Sequence, residues 1–235
     1  MPAPAFSAPA TLTTILLDAG NTLVFLDHEA VSHVLKQAGF EVTPAEVQRV
    51  EPLAKRRYEG LLRQGRSHED GWHLHMAALC QGCGVPPSMV DATVRDLRAV
   101  HDDFNLWRVL PDGLLEALTA LREGGYRLGV VSNSEGRLDA LFTKTGLSEH
   151  LEVVVDSALE GVRKPDPRLF DIALQRMAVG ASQAMYAGDI PEVDVLGAQR
   201  AGLPAVLIDP YDYFPEFVQA PRFPSVAALA AALLR

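Results

Sequence analysis

The sequence predicts an α/β protein with a parallel sheet, interrupted early in the chain by an all-helical insertion. Two observations carry this. Short apolar runs of strand length, Tyr126-Arg-Leu-Gly-Val-Val131, Ala184-Met-Tyr-Ala187 and Ala205 to Ile208, alternate with helical stretches from Pro111 onward, and such alternation marks crossover units and a parallel sheet. Upstream, one more apolar run, Thr14-Ile-Leu-Leu17, is followed from about His28 to Phe104 by one helix pattern after another, with no strand pattern between them.

The opening ten residues, Met1-Pro-Ala-Pro-Ala-Phe-Ser-Ala-Pro-Ala10, have neither a cationic region nor a continuous apolar core and read as a flexible lead-in to the first strand. Within the insertion, Thr43-Pro-Ala-Glu46 is a capping box with proline at the first helical position, and it opens an amphipathic run through Leu61-Leu62. A further helix fits Glu69 to Gln81. Another fits Pro87 to Asp103, where Val90, Val94, Leu97 and His101 recur at helical spacing. After Pro111, Leu114 to Arg122 is a helix stopped by Gly124-Gly125, and Leu138 to Thr145 is a helix stopped by Gly146 ahead of a strand from Leu151 to Val155. Pro167 to Met177, Val193 to Ala201 and Ser225 to Leu234 supply the remaining helices. The expected division is a discontinuous core, residues 11–26 and 106–235, around a helical domain, residues 27–105.

With 235 residues, 48% of them hydrophobic and 22% charged, the chain can bury a full core. A net charge of −9 argues against a nucleic-acid surface. No apolar run reaches the length of a membrane span, so no membrane partner is expected. Cys80 and Cys83 are the only cysteines, too few for a disulfide framework, which fits a reducing cytoplasm. With His73 and His75 they invite a zinc reading, but a single cysteine pair and two histidines on different helix faces favour a packed helix end. Tyr211-Asp-Tyr-Phe-Pro-Glu-Phe217 reads as an aromatic lid over the last strand or as a partner surface.

Four short motifs follow the apolar runs. Gly188-Asp-Ile-Pro-Glu-Val-Asp194 sets two carboxylates five residues apart, and Asp18-Ala-Gly-Asn-Thr22 adds a third from another strand. In an open parallel sheet ligands bind outside the carboxyl ends of the strands, and three acids meeting there suggest a divalent cation and phosphoryl chemistry. Ser132-Asn133 offers a hydroxyl and backbone amides to an anion, and Gly161-Val-Arg-Lys164-Pro-Asp-Pro delivers a lysine just before a helix. Each motif also has a plainer reading. An aspartate after a strand caps a helix, Ser134 with Glu135 starts one, and a loop lysine is solvated.

In their order and strand context, Asp, Ser, Lys and Asp-Asp between Ile15 and Asp209, these motifs resemble those of the haloacid dehalogenase superfamily of hydrolases with a helical cap. The resemblance implies a Rossmann-like three-layer core whose central parallel sheet has the first strand flanked by the Ser132 and Asp189 strands. It further implies a Mg²⁺-dependent phosphohydrolase acting on a small phosphorylated metabolite through an aspartyl-phosphate on Asp18, with a cap that chooses the substrate. Mg²⁺ would take Asp18, the backbone carbonyl of Gly20 and Asp189, with Asp194 as a further ligand or an orienting acid behind them. Ser132, Asn133, Asn21 and Lys164 would hold the phosphate, in a monomer or homodimer.

One departure stands out. Phosphatases of this superfamily carry a second aspartate two residues after the nucleophile as general acid and base, and here that position is Gly20; Asn21 stands where the family usually has glycine. The acid then comes from elsewhere, with Asp27, His28, His68, Glu69, Asp70 and His73 as candidates, or the leaving group needs none, or the chain is a catalytically weakened phosphate-binding protein. The superfamily's 2-haloacid dehalogenases also lack the second aspartate, but they lack the Gly-Asp metal motif as well. Its phosphonatases use an insertion lysine; here Lys36 and Lys55 are both expected on solvated helix faces.

Overall fold

The structure, a computed structural model, describes residues 4–63 and 71–235. In chain order its elements are β1 (Thr14–Leu17), β2 (Phe25–Leu26), α1 (His28–Gln37), α2 (Pro44–Arg63), α3 (Gly71–Gly82), α4 (Pro87–Asp103), β3 (Trp107–Val109), α5 (Leu114–Glu123), β4 (Arg127–Ser132), α6 (Leu138–Thr145), β5 (Val153–Asp156), α7 (Ser157–Glu160), α8 (Pro167–Met177), β6 (Ala184–Gly188), α9 (Leu196–Arg200), β7 (Ala205–Ile208), β8 (Arg222–Phe223) and α10 (Val226–Leu233). They fall into two compact units, Met1–Phe25 with Val109–Arg235, and Leu26–Arg108.

The discontinuous unit is built on a six-stranded sheet in the order β5-β4-β1-β6-β7-β8, with every pairing parallel. β1 is buried along its whole length, as a parallel strand covered on both faces must be, and this is why it reads as a continuous apolar run. Leu16 belongs to a core cluster with Val131, Val155, Tyr186 and Leu207 of the other strands and Leu169, Phe170, Ala173 and Met177 of α8. Asp166 caps α8 by accepting from Arg168 N, with Pro167 at the first helical position. Gly146 closes α6 at φ +79°, a conformation that glycine adopts without penalty.

Three local differences from expectation have clear causes. Residues 147–150 form a 3₁₀ turn, so β5 starts at Val153 rather than Leu151. The helix expected from Val193 is a wide turn, Pro191–Val195, followed by the short α9, because Asp194 folds back to bond the loop before it. The two-residue strands β2 and β8, the short β3 and the one-turn α7 are too brief to show a periodicity.

Among the described residues, the elements of the contiguous unit are helices apart from Leu26 of β2 and Trp107-Arg108 of β3. Its capping box is present, with Thr43 N donating to Glu46 Oε2 at 2.8 Å and Glu46 N to Thr43 Oγ1 at 3.2 Å. Val31, Leu35, Val47, Met76, Leu79, Val94 and Leu97 form its apolar core. Lys36 is exposed as expected, but Lys55 is buried. The reason lies one turn earlier on α2, where Glu51 is buried too and pairs at 2.7 Å with His28; this face of α2 points inward despite its charges. Cys80 lies in the apolar core and Cys83 is half-buried; burial pushes their thiols up to about 12 and about 11, which keeps both unreactive. No described helix is long and apolar enough to cross a membrane.

Candidate active site

Parallel register brings the chemistry to one edge of the sheet. Leu17 is level with Val130 of β4 and Ala187 of β6, so Asp18, Ser132 and Asp189 all leave the sheet at its carboxyl edge. Asp18, Asp189 and Asp194 are buried, and one oxygen of each lies within 4.8 Å of the others. Lys164, also buried, places its Nζ 2.6 Å from Asp18 Oδ1, 2.6 Å from Asp194 Oδ1 and 2.7 Å from the Tyr186 hydroxyl. Ser132 is buried beside them, and its hydroxyl favours the charged form of Asp18.

The supports of these groups come from distant parts of the chain. Asn133 clamps the backbone of Lys164 through both halves of its amide, donating to Lys164 O at 2.9 Å and accepting from Lys164 N at 2.8 Å. Its side chain therefore fixes the lysine loop, and only its backbone is left to serve an anion. The loop after Ser132 is pinned by Asp156, which accepts from Gly136 N, and by Ser157, which accepts from Ser134 N. The plainer reading of Ser134 and Glu135 as a helix start does not hold: α6 begins at Leu138, as expected, and without a side-chain cap. Asp194 uses its second oxygen to accept from Asp189 N at 3.1 Å and Ile190 N at 2.9 Å. This fold-back requires glycine at 188, where a Cβ would come within 2.6 Å of Asp194 Cγ.

Burial pushes the Asp18 carboxyl above its ordinary value; the pull of Lys164 opposes this and the like charge of Asp194 adds to it. Burial works against the Lys164 ammonium, but the carboxylates of Asp18 and Asp194 outweigh it and hold Lys164 above its ordinary value. Burial, then the charges of Asp194 and Asp18, keep Tyr186 a neutral hydroxyl. Three carboxylates facing one ammonium leave two negative charges uncompensated within this group. Hard oxygen donors with surplus negative charge fit a divalent cation. Among the described residues no other set of three acidic, histidine or cysteine side chains converges in this way.

Asn21 is buried at φ +52°, with its N–H bonded to Val24 O at 2.7 Å. Such a left-handed backbone suits the glycine that the family resemblance implies here, and asparagine is among the side chains that best tolerate it. Half-exposed Gly20 forms a bridge with Val24 in the same turn. Of the residues considered as substitutes for the missing acid, Asp27 is committed to capping α1 and to Arg108, 2.8 Å away. His28 pairs with Glu51, and half-exposed His73 lies 3.6 Å from Asp91. His68, Glu69 and Asp70 lie outside the described residues. The aromatic segment does cover the last strands: Tyr213, Phe214 and Phe217 are buried, and Asp209 accepts from Tyr213 N and Phe214 N.

A family model described as haloacid dehalogenase-like hydrolase matches residues 12–202. Haloacid dehalogenase-like hydrolase domain-containing protein 3 of Danio rerio is 30% identical over 209 residues, 84% of this chain and 85% of that one. Its Mus musculus counterpart is 34% identical over 150 residues, and there the match spans only 59% of the relative's length. Glyceraldehyde 3-phosphate phosphatase of Methanopyrus kandleri is 30% identical over 205 residues, 84% of each chain. Among solved structures, the putative HAD-hydrolase YfnB from Bacillus subtilis, bound to magnesium, superposes with a TM-score of 0.72 over 95% of this chain and 99% of that one at 18% identity, which speaks to the fold. The sheet order, the motif order and the family match agree: this chain is a member of the haloacid dehalogenase-like hydrolases.

Proposed function

We propose that the protein is a Mg²⁺-dependent phosphohydrolase acting on a small phosphorylated metabolite, with Asp18 as nucleophile. The observation that carries this reading is the buried cluster of Asp18, Asp189 and Asp194 with Lys164 against two of them. Asp18 attacks phosphorus and the bond to the leaving oxygen breaks, leaving an aspartyl-phosphate; water then attacks that phosphorus, returning the Asp18 carboxylate and inorganic phosphate. Lys164 neutralises the phosphate, and Ser132, the backbone of Asn133 and Asn21 hold its oxygens. Asp18, Asp189, the Gly20 carbonyl and Asp194 would hold Mg²⁺, which when bound offsets the charge that keeps carboxylate and phosphate apart. A phosphatase name on a relative that matches 84% of this chain supports the same class.

The rival is attack on carbon in a 2-haloacid by the same aspartate, which Gly20 permits. That chemistry gives no role to the acidic cluster, so we rank it second. A screen of phosphorylated metabolites with and without Mg²⁺, read by phosphate release, tests the proposal. Halide release from a 2-haloacid in the presence of a chelator would overturn it.

A further inference from the structure

Tyr186 lies within β6, fully buried, in a run whose other side chains are small or aliphatic. Its ring stands edge-on to Phe170 of α8 with centroids 5.0 Å apart, and this contact carries the hydroxyl beneath the acidic cluster. There the oxygen accepts from Lys164 Nζ at 2.7 Å and donates to Val131 O at 2.8 Å and, at the longer distance of 3.2 Å, to Asp194 Oδ1. The three ammonium N–H groups of Lys164 thus meet three acceptors: Asp18, Asp194 and Tyr186.

A lysine is a point charge on a flexible stem, and its acceptors decide where that charge sits. Two of the three acceptors have other work in the reaction proposed above. Asp18 must turn to phosphorus, and Asp194 already bonds the N–H groups of Asp189 and Ile190. When a phosphate oxygen claims a proton of Lys164, one of these carboxylates gives way. Tyr186 accepts from Lys164 alone among the described residues, and its own proton is shared between Asp194 and Val131, the residue before Ser132. We infer that Tyr186 is a positioning residue, the fixed acceptor that keeps the Lys164 ammonium aimed at the phosphate while Asp18 moves. The inference rests on the phosphohydrolase reading and adds to it a residue outside the four motifs.

Tyr186→Phe keeps the ring against Phe170 and removes only the oxygen. With p-nitrophenyl phosphate and saturating Mg²⁺, kcat should fall about 10- to 100-fold, the range of a hydrogen bond to a charged group, while KM stays within about threefold. On a Lys164→Gln background the same change should cost less than about twofold more, because an effect transmitted through one residue vanishes with that residue. A variant carrying p-aminophenylalanine at 186 restores a polar group on the same ring and should recover at least half of the logarithmic loss; it also serves if the phenylalanine variant does not fold. Unchanged kcat in the folded Tyr186→Phe variant, a loss of more than about tenfold in the p-aminophenylalanine variant, or a full further loss on the Lys164→Gln background would overturn the role of Tyr186. Absence of phosphate release by the wild type sinks the phosphohydrolase reading instead, so the two failures are distinguishable.

Discussion

Asp18 is the one acidic side chain at the end of the central strand, and in the proposed reaction its carboxylate has no stand-in for attack on phosphorus. Asp18→Asn is nearly isosteric, so the folded variant should keep its thermal midpoint while phosphate release falls by roughly four orders of magnitude or more; most activity surviving in a deamidation-free sample would defeat the mechanism. Gly20 makes a subtler claim. If no other residue supplies the proton, aryl and acyl phosphates should be cleaved far faster than alkyl ones, and Gly20→Asp should narrow that gap within the roughly 10²–10⁴ that proton transfer is worth. A wild-type rate insensitive to leaving-group pKa would show that the proton comes from elsewhere. Asp18, Ser132 and Asp189 are legible in the sequence because each follows an apolar run, Lys164 because it stands just before a helix, and Asp194 because it lies five residues after Asp189. Tyr186 is not, since a tyrosine inside an apolar run reads as one more strand residue. The Asn133 clamp is equally hidden, because its partner Lys164 lies 31 positions away.

Where β6 runs into its turn, side-chain size is set by the fold-back of Asp194. Gly188→Ala puts a methyl group where Asp194 sits, and overpacking of this kind costs about 1–3 kcal/mol; we expect a lower thermal midpoint together with weakened Mg²⁺ binding by calorimetry, and a variant with wild-type affinity would show that the turn yields freely. In α3, His75 is buried between the rings of Tyr58 and Trp107. Burial, only partly offset by the charge of Glu51 and reinforced by Lys55, pushes its pKa down to about 4. The unfolded chain takes up this proton near pH 6.5, so the stability is complete above that value and is lost as pH falls toward 4, a change on the order of 3 kcal/mol. His75→Phe should therefore lose less stability than wild type between pH 7 and pH 4.5 in denaturant titrations; parallel losses would refute the assignment. The long helices α2 and α4 follow from capping residues and periodicity alone, whereas the inward turn of Glu51 and Lys55 defeats any reading that sends charges to solvent.

For the whole molecule, alternation of apolar runs with helix patterns is enough to foresee the parallel sheet. The order of its strands is not in that alternation; it comes from the resemblance to a known family, because pairing between residues more than a hundred positions apart leaves no local trace. That separation has a consequence for how the chain comes together during synthesis. Leu26–Arg108 is contiguous and has an apolar core of its own, while Thr14 has no strand partner until Arg127 and Ala184 exist. Domains emerging from the ribosome fold as units, the earlier ones first. The helical unit therefore assembles while β1, the most buried strand of the finished protein, still hangs unpaired at its amino-terminal side. A nascent chain that has emerged past residue 108 but not as far as residue 127 is a folded helical body trailing an apolar strand with both edges bare, and that strand is the part of this protein most in need of protection before the sheet can close around it.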